Sequence, residues 1–112
     1  MLVTAEYNHG YPPPPKNALD HVYGEWNRKP VSYVSYGAPG GGTRAGEQLR
    51  GVAVELQQAP LRSQVIINRP WPQLHDGVFD GQQHARQAGA LLDELVWWAE
   101  VLLAGWADKG GQ

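Results

Sequence analysis

The chain contains no cysteine, which excludes a disulfide framework, a thiolate nucleophile and a thiolate metal site. It also carries little net charge. Nine basic residues stand against eleven acidic ones, a formal charge of −2, and that argues against a groove binding nucleic acid by counterion release. Long apolar runs are missing too: the most apolar stretch, Ala88 to Trp106, is interrupted by Asp93, Glu94 and Glu100, whereas a membrane-spanning helix needs about 20 mostly uncharged residues. The opening MLVTAEYN has no basic start, apolar region or cleavage site, so no targeting segment is expected. Neither nucleic acid nor membrane is an expected partner, and the expected location is cytoplasmic. The four histidines, His9, His21, His75 and His84, show no metal-ligand spacing. A catalytic triad is equally unsupported.

What is present describes a folded domain. At 112 residues the chain can bury one core with little margin, and 42% hydrophobic residues is too many for a disordered segment. Strand and helix patterns alternate. Leu2–Thr4 reads as a short strand, and Lys16 to about Trp26 as a helix offering Ala18, Leu19, Val22 and Tyr23 for packing. Pro30 opens the strand VSYVSY; Thr43 is placed to cap a helix with Ala45, Leu49, Val52, Ala53 and Leu56 on one face. Leu61–Asn68 is a third strand, and RPWPQLHDG after it a loop. A closing helix from about Gln82 to Leu103 places Ala85, Ala88, Leu92, Leu95, Val96, Ala99, Leu102 and Leu103 on a broad apolar stripe, widened by Trp97, Trp98 and Trp106. This order, with no hairpin signal between strands, implies a parallel sheet with right-handed crossovers.

Two loops carry the functional information. AEYNHGYPPPPKNALD, Ala5 to Asp20, opens on a strand end and closes on a helix start, and ligands of open parallel sheets bind outside the carboxyl ends of the strands. KPVSYVSYGAPGGGTRAGEQLR, Lys29 to Arg50, has the same strand, loop and helix order, with glycines where a backbone can approach a ligand. Ser35 and Tyr36 end its strand and point at the same crevice. These segments resemble the two flavin-side loops of the NADPH-dependent FMN reductase family, the first usually reading T-P-E-Y-N, a proline, then L-K-N-A-x-D. The tail GVFDGQQHARQAGALLDELVWWAEVLLAG is similar to the family's closing helix.

The resemblance implies a flavodoxin-like α/β fold, a three-layer αβα sandwich with a parallel sheet, here without its first two βα units. Residues 1–106 would be the C-terminal part of such a domain and 107–112 a flexible tail. It implies the cofactors FMN and NADPH, a small-molecule electron acceptor such as a quinone or free flavin, and a homo-oligomer. Glu6, Tyr7, Asn8, Ser35, Gly37 and Gly41 are the residues expected against the flavin ring, and no catalytic acid–base pair is required. The family's Ser-, Arg- and Gly-containing phosphate loop has no counterpart, so Met1 is expected to fall inside a domain and FMN binding by this chain to be weak. Ala5 replaces the family's usual proline, and Pro15 its leucine; the run Pro12–Pro15 requires the helix to start at or after Pro15. Two alternatives are an inactive truncated remnant and a flavodoxin-like protein-interaction module.

Overall fold

The computed structural model describes residues 1–109. Strand β1 (Leu2–Ala5) leads to α1 (Pro13–Asp20), β2 (Pro30–Gly37), α2 (Thr43–Glu55) and β3 (Ala59–Asn68). A two-residue ribbon, β4 (Leu74–His75) and β5 (Val78–Phe79), precedes α3 (Ala85–Asp108). The first three strands form one parallel sheet in the order β1-β2-β3. Leu2 to Ala5 pair with Tyr33 to Tyr36, and Tyr33 to Gly37 with Gln64 to Asn68.

Strand alternation divides the apolar residues between two faces. On one, Leu19 of α1, Val31 and Tyr33 of β2, and Leu49, Ala53 and Leu56 around α2 form a buried cluster, with Leu2, Tyr11, Trp26 and Val52 packed on it. On the other, Val65 and Ile67 of β3 meet Leu91 of α3, with Val34 and Ala88 alongside. The three layers follow from this division: α1 and α2, the sheet, and α3.

Several local expectations are corrected. Helix α1 begins at Pro13, two residues before the expected limit, with Pro12 extended at its N-cap. The first four N–H groups of a helix have no intrahelical partner, so prolines there forfeit nothing. It ends at Asp20, not Trp26, because Trp26 folds back and donates its indole N–H to the Leu19 carbonyl at 3.0 Å. Val22 and Tyr23 are consequently exposed. The N-cap of α2 is Gly42, at φ 82°, with Thr43 already inside the helix; the Thr43 hydroxyl donates to the Gly40 carbonyl.

The segment expected as a loop after β3 contains the β4–β5 hairpin. Asp76 and Gly77 have φ 49° and 77°, the positive pair that a two-residue hairpin turn requires. In α3 the packed seam is Ala88, Leu91, Leu95, Trp98, Leu102 and Trp106, continuing from His84 at its N-cap; Leu91 is buried and the rest half-buried. Leu92, Val96, Ala99 and Leu103 of the expected stripe lie exposed. Helix α3 runs on to Asp108, so residues 107 and 108 are helical. Lys109 follows as the C-cap, and the rest of the expected flexible tail, 110–112, lies outside the described residues. No helix among the described residues is long and apolar enough to cross a membrane.

Candidate functional site

The carboxyl ends of β1 and β2 present two loops to one side of the sheet. After β1, Tyr7 N–H donates to the Gly10 carbonyl at 2.9 Å and Gly10 N–H to the Tyr7 carbonyl at 3.0 Å. Asn8 and His9 between them have φ 49° and 71°, so the segment is a tight turn of the mirror-image type. Tyr7, at 59% exposure, and Asn8 are displayed at its tip. The turn is tied to α2 from below, since the Gln48 side chain accepts from Tyr11 N–H at 3.0 Å.

After β2, Gly40, Gly41 and Gly42 follow one another at φ 96°, 66° and 82°. Besides the backbone angle, space demands glycine at the last two. A Cβ on Gly41 would collide with Ile66 Cγ2, and one on Gly42 would lie 2.8 Å from Ser35 Cβ. Asn68, at the end of β3, accepts from Gly40 N–H at 3.2 Å, and Arg69 N–H donates to the Gly37 carbonyl at 3.0 Å.

Glu6 joins the two loops. Its Oε1 accepts from the Arg44 N–H at 2.9 Å and the Ala45 N–H at 3.3 Å, and its Oε2 from Arg44 Nε at 2.7 Å. Arg44 Nη2 in turn donates to the Pro39 carbonyl at 3.2 Å. The Glu6 side chain is only 9% exposed. Burial alone would raise its pKa, but hydrogen bonds from the Arg44 side chain and the Ala45 and Arg44 amides, with the attraction of the Arg44 charge, hold it below the ordinary 4.5.

A second network supports the glycine loop from inside. Ser35 Oγ donates to the Gly41 carbonyl at 2.7 Å and accepts from Gln64 Nε2 at 2.7 Å. Gln64 Oε1 accepts from Arg50 Nη1 at 2.7 Å, and the other Arg50 nitrogen reaches the Leu61 and Arg62 carbonyls. The Arg50 guanidinium also lies 4.9 Å from the Tyr33 ring centre. Burial pushes the Tyr33 hydroxyl up to about 12, against the opposing pull of the Arg50 charge.

The six residues expected against a flavin thus separate. Tyr7 and Asn8 are exposed, and Gly37 is half-buried, its Cβ direction 3.7 Å from Glu6 Cβ. Glu6, Gly37 and the Gly41–Gly42 corner are brought together. Ser35 and Gly41 are buried, and the Ser35 hydroxyl turns under α2 while Tyr36 beside it is exposed. The alternation of a strand cannot aim two successive side chains at one crevice. Sequence reasoning passed over Gln48, Gln64, Arg50 and Asn68, whose roles depend on contacts 11 to 37 residues away. Strand ends followed by proline-bearing loops, as at Asn68, were the only local signal.

Two apolar clefts lie on the α3 side of the sheet. One of about 460 Å3 lies on the α3 face near the loops, between Val34, Tyr36, Ile67, Trp71 and Phe79. A larger one, about 530 Å3, lies at the opposite end of the strands, between Arg28, Pro30, Leu95, Leu102 and Trp106. It is remote from the polar loops.

Comparison with known proteins identifies the family. The sequence profile of the NADPH-dependent FMN reductase family matches residues 1–72, which include both loops. An NAD(P)H-dependent FMN reductase of Schizosaccharomyces pombe is 45% identical over 80 residues, covering 71% of this chain and 40% of that protein. Another of the same description from Saccharomyces cerevisiae is 48% identical over 52 residues, covering 46% of this chain and 27% of its own length. A third, from a Nectria species, is 49% identical over 49 residues, or 44% and 24% of the two chains. The chain therefore spans well under half the length of the curated relatives it matches.

Proposed function

Because the chain belongs to the NADPH-dependent FMN reductase family, with its flavodoxin-like α/β fold, we propose that it supplies the ring side of an FMN site. The reaction would be hydride transfer from NAD(P)H, through the flavin, to a quinone, free flavin or similar acceptor. The observation that carries this reading is the pair of polar loops at the carboxyl ends of adjacent parallel strands, where ligands of such sheets bind, held to each other by Glu6 and Arg44.

The residues fit the edge and face of a flat heterocycle. Tyr7 and Asn8 stand exposed on a rigid turn, and Ala38 to Gly40 are exposed opposite. Tyr7 would line the ring, and the Asn8 amide would supply a donor and an acceptor to its polar edge. Glu6, Ser35 and Gly41 act behind them by fixing the loops. When bound, the flavin supplies the hydride and electron chemistry, and the protein's part is to orient the ring and leave one face open. The FMN phosphate finds no such fit, since the Thr43, Arg44 and Ala45 amides at the start of α2 already have partners and one of these is a carboxylate.

Titration with riboflavin and with FMN, followed by flavin fluorescence, tests the proposal. Both should bind weakly and with similar affinity, and Tyr7→Ala should weaken both about tenfold, on the scale of one aromatic contact. Tight binding of FMN with none of riboflavin would show that the phosphate is being gripped and that the site is misassigned. A second reading, a protein-interaction module or homo-oligomer, is favoured by the exposed Leu92, Val96, Trp97, Val101 and Leu103 of α3. A colourless protein indifferent to riboflavin but associating through α3 would support it over the first.

A further inference from the structure

Three consecutive glycines in left-handed conformation before a 13-residue helix form the kind of corner that proteins use to cradle phosphate. The first N–H groups of such a helix have no partner within it, and the aligned peptide dipoles place roughly half a positive charge there. In this chain the amides of the first helical turn, Thr43, Arg44 and Ala45, are taken, and the helix's own bonding begins at Gly46. Thr43 N–H reaches the Gly40 carbonyl at 3.3 Å and Gly46 N–H the Gly42 carbonyl at 3.2 Å. The two between them, Arg44 and Ala45, both donate to Glu6 Oε1. The nearest cation, the Arg44 guanidinium, is held by Glu6 Oε2 and the Pro39 carbonyl. Glu6 lies 38 residues before Arg44 in the chain, so this cap is tertiary and comes from the neighbouring strand end.

We infer that Glu6 is a specificity-determining residue: its carboxylate occupies the N-terminus of α2 and closes the glycine corner to phosphate. The chain thereby keeps two loops assembled before any ligand arrives, and reserves them for an uncharged ring. The exclusion of phosphate stands on the hydrogen bonds to Glu6 and on the negative charge it places at the helix start, whereas the statement about the ring rests on the flavin reading above. Removing the carboxylate would convert the corner into an anion site, with two unpaired amides, the helix dipole and a released Arg44 all facing it.

The probe is inorganic phosphate at constant ionic strength, and the readout is the amide resonances of Arg44 and Ala45 in the full chain. In the wild type they should be unmoved by millimolar phosphate. In Glu6→Ala they should shift saturably, with phosphate bound about tenfold or more tightly than to the wild type. Glu6→Thr, which suits an extended strand end but is too short to reach the two amides, should behave in the same direction, and it keeps the test intact if the alanine variant folds poorly. Glu100→Gln, which removes an exposed carboxylate on α3, should leave both amides indifferent. A saturable phosphate response in the wild type would overturn the inference, as would a Glu6→Thr protein that folds and ignores phosphate. Riboflavin titration of the same samples is a separate readout: loss of ring binding in the wild type would remove the flavin reading while leaving the phosphate result to decide the role of Glu6.

Discussion

The two faces of the sheet are built to different standards. On the α1 and α2 face, six buried residues interlock, and the loops above them are pinned by side chains from β1, β3 and α2. On the α3 face, a 24-residue helix buries only Leu91 fully and presents a second apolar stripe outward. The contrast separates what the site needs from what the rest of the surface is free to do. Rigid loops need a closed layer beneath them, and the closed layer is where the crevice is anchored.

The largest test of that contrast is a pair of leucines. Leu49, 1% exposed in the α2 cluster, should cost about 2–5 kcal/mol when cut to alanine, through lost transfer energy and the cavity left behind. Leu103, 71% exposed on α3, should change the stability of the dilute, unassociated chain by no more than about 0.5 kcal/mol. Urea unfolding of the two variants measures both, and equal losses would mean that the outer stripe of α3 is covered in solution.

That possibility leads to assembly. Light scattering at micromolar concentration should find wild-type chains associated through α3, and Val96→Lys with Leu103→Lys should return them to monomers. A monomeric wild type whose exposed Trp97 is nevertheless protected from a soluble quencher would break the comparison, because the helix would then be covered from within.

On the closed face, charge contributes a smaller share. Glu6→Ala should cost about 1–2 kcal/mol, the range of lost helix caps. The folded pKa of Glu6 lies below its ordinary 4.5, so its contribution is complete above that value and is lost as the pH falls through the lower, folded value. The urea midpoint of the wild type should therefore drop further between neutral and acid pH than that of Glu6→Gln. Tyr33 acts at the other extreme. With its hydroxyl pushed from 10.0 to about 12, the folded state favours the neutral phenol, and that advantage is lost as the pH climbs between those values. Tyr33→Phe should flatten the alkaline fall.

The smallest effect is expected at Ser32. Its hydroxyl is buried without a partner, next to the register irregularity between Val31 and Tyr33. An unsatisfied buried polar atom is costly, so Ser32→Ala should be neutral or stabilising by up to about 1 kcal/mol, read from the same urea curves.

The α/β alternation and the parallel order were legible in the sequence because strand and helix periods differ, and because the segments VSYVSY and LRSQVIIN lie between loop punctuation. The Asp76–Gly77 hairpin was legible as well, from the dipeptide itself, yet the neighbouring prolines masked it. The choice of stripe on α3 was not. Leu91, Leu95, Trp98 and Leu102 compete with Leu92, Val96, Ala99 and Leu103, both at helical spacing, and a one-dimensional pattern cannot say which one meets Val65 and Ile67. Family motifs located the two loops but could not rank their residues, because a conserved-looking carboxylate reads the same whether it faces a ligand or a helix end.

By itself the sequence determined the three strands of the main sheet and the helices that follow each, that these strands run parallel, and that the loops after β1 and β2 share one end of the sheet. Those outcomes depend on local periodicity and on the handedness of crossovers, which need no distant partner. Only the tertiary structure decided that Glu6 caps α2, that Ser35 faces Gln64 and Gly41, and that α3 leaves half its apolar surface outside. Each of these is a contact between groups far apart in the chain, and its energy depends on desolvation and hydrogen-bond geometry that arise only once the sheet has brought the two ends together.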